Sequence, residues 1–248
     1  MNLWIDPSGG MAGDMFTAAL IDLGVSFQSL SPPMLFAARM LGEARISTSR
    51  SDDGALRLKI DLTRNSEHLH LGNGEQILSR TFARFPLPSP HRKMAGEILQ
   101  ILMNAENRAH RLHQIHIPGH EHTDTLHEAQ DIIVDIVGAC YGFHFLGILP
   151  GITQVRPVST GGGIIQFSHG RFEAPAPATR VLIEEHELWT VAGPVDSELF
   201  TPTGAAILAA LKPRIDPRGA VSMPVLKKGC SRGTRMLDIP PLVLGLSG

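Results

Sequence analysis

Only two cysteines, Cys140 and Cys230, occur among 248 residues, far apart and in no CxxC pattern. That excludes a disulfide framework and predicts a reducing, cytoplasmic setting. A surplus of basic charge is also missing: 22 Lys and Arg stand against 24 Asp and Glu, for a formal net charge of −2. Without a basic face, and with no run of like charges, the chain is not read as a nucleic-acid binder. The N-terminus MNLWIDPSGG has neither a basic nor an apolar signal-peptide region, so no signal peptide is predicted. The longest apolar stretch, 132–152, is broken by Asp135 and His144 and reads as a buried helix, not a membrane span.

With 43% hydrophobic residues the chain can bury a sizeable core. The element pattern predicts a mixed α/β fold, a mixed β-sheet with helices packed on it. One domain over 1–248 is expected, with 148–153 as the best boundary if it divides into lobes 1–150 and 151–248. A buried strand is expected at 2–6, then the glycine turn PSGGMAG and a helix from Asp14 to about Leu23, ended by Gly24. A short helix is expected near Pro33–Leu41. Alternating residues on either side of Asp53-Gly54 predict a hairpin. Residues 64–90 read as loop with a short helix near 75–84. Helical periodicity then covers 90 to about 113 and 125–146. Strands are expected at 153–159, 163–168, 187–192 and 220–226, with helices from Pro177 and from Pro202 to Leu211, and a Gly-containing tail.

Six of the twelve histidines lie between Ala109 and Gly138: His110, His113, His116, His120, His122 and His127. Glu121, Asp124, Glu128, Asp131 and Asp135 are interleaved with them. Imidazole and carboxylate together suit a divalent transition metal, without selecting among nickel, zinc and cobalt. On the predicted helix, His127, Asp131 and Asp135 are spaced i, i+4, i+8 and share a face, with Glu128 within reach. A lone ionised carboxylate among Ile132, Ile133, Val134, Ile136 and Val137 costs several kcal/mol unless paired or metal-bound. The competing reading has Asp131 and Asp135 bonded to an arginine or to backbone amides, and the histidines in a solvated loop. His68, His70, His91, His144 and His186 are read as structural or surface residues.

Between Asp6 and Asp14, glycines Gly10 and Gly13 join a strand to a helix, a turn that lets backbone amides approach an anion. It is neither a Walker A loop nor GxGxxG. Thr201-Pro202-Thr203-Gly204 and Ala176-Pro177 open two further helices, with Thr201 a good N-cap. Gly161–Gly163 and Ser168-His169-Gly170 add flexible backbone, and together these openings suggest a phosphorylated small molecule, with ordinary capping as the alternative at each.

Four ordered motifs, DPSGGMAGDMFTAALIDLG, LHEAQDIIVDIVG, GGGIIQFSHGRFEAPAPAT and ELFTPTGAAIL, resemble the LarC family of nickel insertion proteins. The resemblance implies insertion of nickel into pyridinium-3,5-bisthiocarboxylic acid mononucleotide with consumption of CTP. It implies metal ligands at His110, His127, Glu128 and Asp131, to which the histidine-rich stretch adds His120 and His122 as candidates, and catalytic carboxylates Asp131, Asp135 and Glu128. It implies binding of the mononucleotide by Asp6, Gly10, Gly13, Asp14, His169, Gly170, Thr201, Thr203 and Gly204. Pro7 stands where the family usually has cysteine, so no thiolate ligand is available there. Thr125 replaces a family histidine, with His116, His120 and His122 as candidate substitutes. Family members continue into a C-terminal nucleotide-associated domain. CTP with Mg²⁺ or Mn²⁺ is therefore expected only if a separate chain supplies that domain, and a homo-oligomer is expected. A non-catalytic metal chaperone or store is the alternative, and a metal-dependent phosphohydrolase built on Asp6 and Asp14 the third.

Overall fold

A computed structural model describes residues 2–64, 68–113, 125–127, 129–167, 170–218 and 225–248. In chain order the elements are β1 (Asn2–Asp6), α1 (Gly13–Leu23), α2 (Phe27–Arg39), β2 (Gly42–Arg50), β3 (Leu56–Arg64), β4 (His68–His70), α3 (Leu71–Arg84) and α4 (Ser89–His113). Then come β5 (Thr125–His127), α5 (Ala129–Phe145), β6 (Thr153–Gln154), β7 (Val158–Ser159), β8 (Ile164–Phe167), β9 (Gly170–Glu173) and α6 (Pro177–Glu185). The chain closes with β10 (Thr190–Val191), α7 (Pro202–Ala210), β11 (Arg214–Ile215), β12 (Val225–Ser231) and β13 (Leu242–Ser247).

Seven strands form one mixed sheet in the order β11-β6-β1-β13-β12-β3-β2. Neighbours β11, β6 and β1 run parallel, β13 runs antiparallel to both β1 and β12, and β2–β3 is the hairpin turned by Asp53-Gly54. This is the mixed α/β class that the sequence pattern predicts. Strands from both halves of the chain interleave, with β6, β11, β12 and β13 drawn from beyond residue 150.

Helix α1 lies on β12, β13 and β3 and carries α5 on its other side. Residues 132–143 of α5 are buried without interruption, which makes it the central helix of the core. The α1–α5 contact is unusually close. A methyl group on Gly138 would lie 2.6 Å from Thr17 Oγ1, and one on Gly142 would lie 2.6 Å from Leu20 Cδ1. Because Gly13 meets Asp135, Thr17 meets Gly138 and Leu20 meets Gly142, both helices run in the same direction. At the far end of α5, buried His91 on α4 places Nε2 2.9 Å from the carbonyl oxygen of Ile148, the structural role expected of it.

Three expectations need correction. Helix α2 begins at Phe27, not near Pro33, and carries Pro32 and Pro33 inside it. Burial of Leu30, Met34, Ala37 and Ala38 on one face, packed against α5 and β2, outweighs the interior prolines. Helix α5 starts at Ala129, because Thr125–His127 pairs antiparallel with His68–His70 as β5 and β4. The tail contains a second strand, β13, which sits between β1 and β12 at the middle of the sheet. The strand expected at 220–226 falls partly outside the described residues, and β12 runs on to Ser231.

The helix contact gives the first prediction. Gly138→Ala should lower unfolding free energy by about 1–3 kcal/mol through overpacking on Thr17. That loss should appear even though alanine gains about 1 kcal/mol over glycine in helix propensity. An unchanged urea midpoint would show that the two helices are not packed this tightly.

Candidate functional site

The glycine turn is fastened at every step. Asp6 Oδ1 accepts the Ser8 amide at 3.1 Å, and Gly10 N donates to the Pro7 carbonyl at 2.9 Å. Gly10 sits at φ +90°, in the left-handed region that favours glycine, and its missing side chain leaves room for Leu199. Met11 N then donates to the Leu199 carbonyl at 2.8 Å, and Thr201 N donates back to the Met11 carbonyl at 3.2 Å. Thr201 caps α7 by accepting the Gly204 amide at 3.2 Å. A methyl on Gly204 would fall 2.4 Å from the Met11 carbonyl oxygen, so the first turn of α7 lies directly on the residues that lead into α1. The N-cap of α1 is Ala12, which supplies no side-chain cap.

Onto this junction α5 places a carboxylate. Asp135 is 7% exposed, and a methyl on Gly13 would lie 2.1 Å from its Oδ2. Its Oδ1 is buried with no hydrogen-bond partner among the described residues. Asp131, one turn earlier, and Asp14, in the first turn of α1, act electrostatically on the same group. Burial, then the charges of Asp14 and Asp131, hold the Asp135 carboxyl well above the ordinary carboxylate range. Burial also pushes Asp14 up to about 6, reinforced by Asp131 and opposed by the Met15 amide, which donates to Asp14 Oδ1 at 2.8 Å.

The structure thus brings together Asp14, Asp131, Asp135, Gly10, Gly13, Thr201 and Gly204, with Thr203 in the first turn of α7. Asp6 stands at the strand end of the same turn. It does not bring His127 onto the face of α5: His127 belongs to β5, so the i, i+4, i+8 arrangement reduces to Asp131 and Asp135. His110 is half-buried on α4 with Nε2 3.9 Å from Glu106 Oε2, and burial lowers its pKa. Among the described residues no group of three or more His, Cys, Asp or Glu has the geometry to hold a metal ion. His120, His122, Glu128 and His169 lie outside the described residues, and Gly170 opens β9 opposite Phe167.

Sequence reasoning missed the two flanks of the turn. Ser197–Leu199 closes one side, with the Ser197 carbonyl against Gly161 at φ +75°. Segment 231–240 closes the other: Ser231 Oγ donates to the Met15 carbonyl at 2.6 Å, and Pro240 packs on Gly9. The glycine of 161–163 was a usable signal, since an αL glycine marks close backbone approach. The 231–240 segment carried none, because its contacts with the turn and α1 span more than 200 residues of sequence.

The carboxylates make stability depend on pH. Between the ordinary carboxylate value near 4 and about 6 the folded state holds more protons than the unfolded chain. Stability therefore falls as pH rises through that window and stays lower above it. Asp135→Asn should raise metal-free stability at pH 7.5 and flatten the pH profile, since it removes a carboxyl whose proton affinity burial raises. Chemical denaturation at pH 4.5 and 7.5 measures this; a variant less stable at pH 7.5 would contradict it.

The sequence profile of the family described as nickel insertion protein matches residues 3–246. The pyridinium-3,5-bisthiocarboxylic acid mononucleotide nickel insertion protein of Staphylococcus saprophyticus is 30% identical over 245 residues, covering 97% of this chain and 58% of that protein. The protein of the same name from Thermotoga petrophila is 32% identical over 252 residues, covering 99% and 60%. Its namesake in Thermotoga sp. strain RQ2 is 30% identical over 261 residues, covering 99% and 61%. The chain spans about three-fifths of the length of these relatives. No solved structure matches it. From Leu3 to Leu246, through the glycine turn, the aspartates of α5 and the Thr201 cap, the chain belongs to the nickel insertion protein family.

Proposed function

We propose that this chain inserts nickel into pyridinium-3,5-bisthiocarboxylic acid mononucleotide, or supplies the metal- and substrate-binding half of that activity. The observation that carries the reading is Asp135: a buried carboxylate with an unpartnered Oδ1, held over Gly13 between two other aspartates. Such a group is costly in an apolar core unless a cation or a proton meets it.

Nickel is the cargo in this scheme. Asp131 holds it at the start of α5, together with donors from the preceding segment, His127 and Glu128, and from His110, His120 and His122. The ring carbon of the precursor must lose its proton as the carbon–nickel bond forms, while the two thiocarboxylate sulfurs bind nickel as thiolates. Asp135 accepts that proton. Its affinity for a proton, raised by burial and by its neighbours, suits a general base. Glu128 is the second carboxylate able to serve. The glycine turn, His169-Gly170 and the α7 opening at Thr201, Thr203 and Gly204 hold the mononucleotide.

Use of CTP with Mg²⁺ or Mn²⁺, completion by a separate chain and homo-oligomerisation belong to the same proposal, as does a cytoplasmic setting. Among the described residues no helix is long and apolar enough to cross a membrane.

Nickel content by elemental mass spectrometry and transfer to the precursor, with and without CTP, test the scheme. Asp131→Asn should lose bound nickel. Asp135→Asn should keep it but slow transfer roughly 10²-fold or more, the usual contribution of a general base. Nickel bound by the native chain without transfer under any condition would favour storage instead.

A further inference from the structure

We propose that Arg235 lies over the strand-side half of the glycine turn and forms the subsite for the phosphate monoester of the mononucleotide, an assignment that rests on the insertion reading above. The placement follows from contacts on three sides. Segment 231–240 touches the turn and α1 at two points: Pro240 against Gly9, and Gly233 3.5 Å from Met15 Sδ, measured from where its Cβ would stand. Segment 197–199 touches the turn at Gly10 and Met11. Arg235 joins these flanks, its Nη1 donating to Ser197 Oγ at 2.7 Å. A guanidinium that bridges two segments, each packed on residues 9–11, stands beside that turn.

Its charge is also uncommitted. Arg50, Arg108, Arg180 and Arg232 each pair with a carboxylate, whereas none of the described carboxylates pairs with Arg235. Its side chain is exposed, and one hydroxyl engages one nitrogen, leaving the rest of a planar fork suited to phosphate oxygens.

Electrostatics require such a group. Asp6 and Asp14 flank the turn, Asp131 and Asp135 act on the same end of it, and the insertion reading assigns the metal to Asp131 there. An anionic mononucleotide approaching four carboxylates needs positive charge set apart from the metal. Asp135 meets the turn at Gly13, where α1 begins, while the flanks bridged by Arg235 meet it at Gly9, Gly10 and Met11. Metal and phosphate are thereby assigned to opposite ends of one turn, with the pyridinium ring between them.

The test compares two probes, the mononucleotide and the nucleoside left after its phosphate is removed, by calorimetry on the native chain, Arg235→Ala and Arg235→Lys. The native chain should prefer the mononucleotide by about tenfold or more, the equivalent of ~1.4 kcal/mol. Arg235→Ala should abolish that preference without changing nucleoside affinity or nickel stoichiometry, and Arg235→Lys should restore part of it as a point charge without the fork. Full preference in Arg235→Ala overturns the role of Arg235. Equal binding of both probes by the native chain overturns a phosphate subsite while leaving nickel insertion standing. Binding of neither overturns the insertion reading, and the subsite with it. Since Arg235 is exposed, loss of fold does not confound the comparison.

Discussion

One contact organises the molecule: the carboxylate of Asp135 pressed onto Gly13. It requires α1 and α5 to approach within reach of backbone, which only small residues at the crossing permit. Gly13, Gly138 and Gly142 supply that closeness, with Thr17 and Leu20 opposite two of them. It also requires the two helices to run the same way, so that their first turns meet. The sheet arranges this, because α1 leaves the end of β1 across a tight turn and packs back on β12 and β13. Once α1 is so placed, α7 is brought beside it by the Met11–Leu199 and Thr201–Met11 hydrogen bonds.

Magnitudes decide what the convergence achieves. Asp14 and Asp131 sit in first helical turns, where the helix dipole favours a carboxylate by about 0.3–1 kcal/mol. Burial of an ion without a partner costs several kcal/mol. Burial wins, as the upward shifts of Asp14 and Asp135 show. The helix ends therefore do not make this a comfortable place for negative charge. They reduce the cost enough for the fold to tolerate carboxylates that a cation or a proton can then satisfy. A fold selected only for stability would place an apolar side chain at 135, since replacing buried ions with well-packed apolar groups is often neutral or favourable.

Legibility in the sequence followed the range of the interactions. The β1–turn–α1 unit could be read because Asp14, Gly10, Gly13 and Gly24 act within one short segment, and Gly24 indeed ends α1 at φ +128°. Asp131 and Asp135 could be paired because i, i+4 spacing is a property of one helix. His127 could not be placed. Its three-residue segment reads equally well as the start of α5, and only the strand at 68–70, nearly sixty residues earlier, draws it into β5. Helix α2 begins at Phe27, ahead of the expected start near Pro33, because burial of its apolar face overrides the local penalty of two interior prolines. Strand β13 was hidden because its place in the sheet depends on β1 at the other end of the chain, and Arg235 because only the fold brings it to Ser197.

The donor types also bear on how a cargo ion would leave. With Pro7 after Asp6 and no cysteine in the glycine turn or the first two turns of α5, the proposed site offers oxygen, with imidazole from the neighbouring segment. The precursor offers two sulfurs and a carbon, which are softer and hold a late first-row metal more tightly than carboxylate does. Under the proposed function nickel therefore moves from harder to softer donors, a downhill exchange. A thiolate cage in the protein would hold the ion against its acceptor. Binding the ion loosely costs affinity, and the cluster of three aspartates offsets this with charge instead of ligand strength. The same charge would repel an anionic acceptor, which is why a site built to release nickel needs a separate cation to seat the mononucleotide.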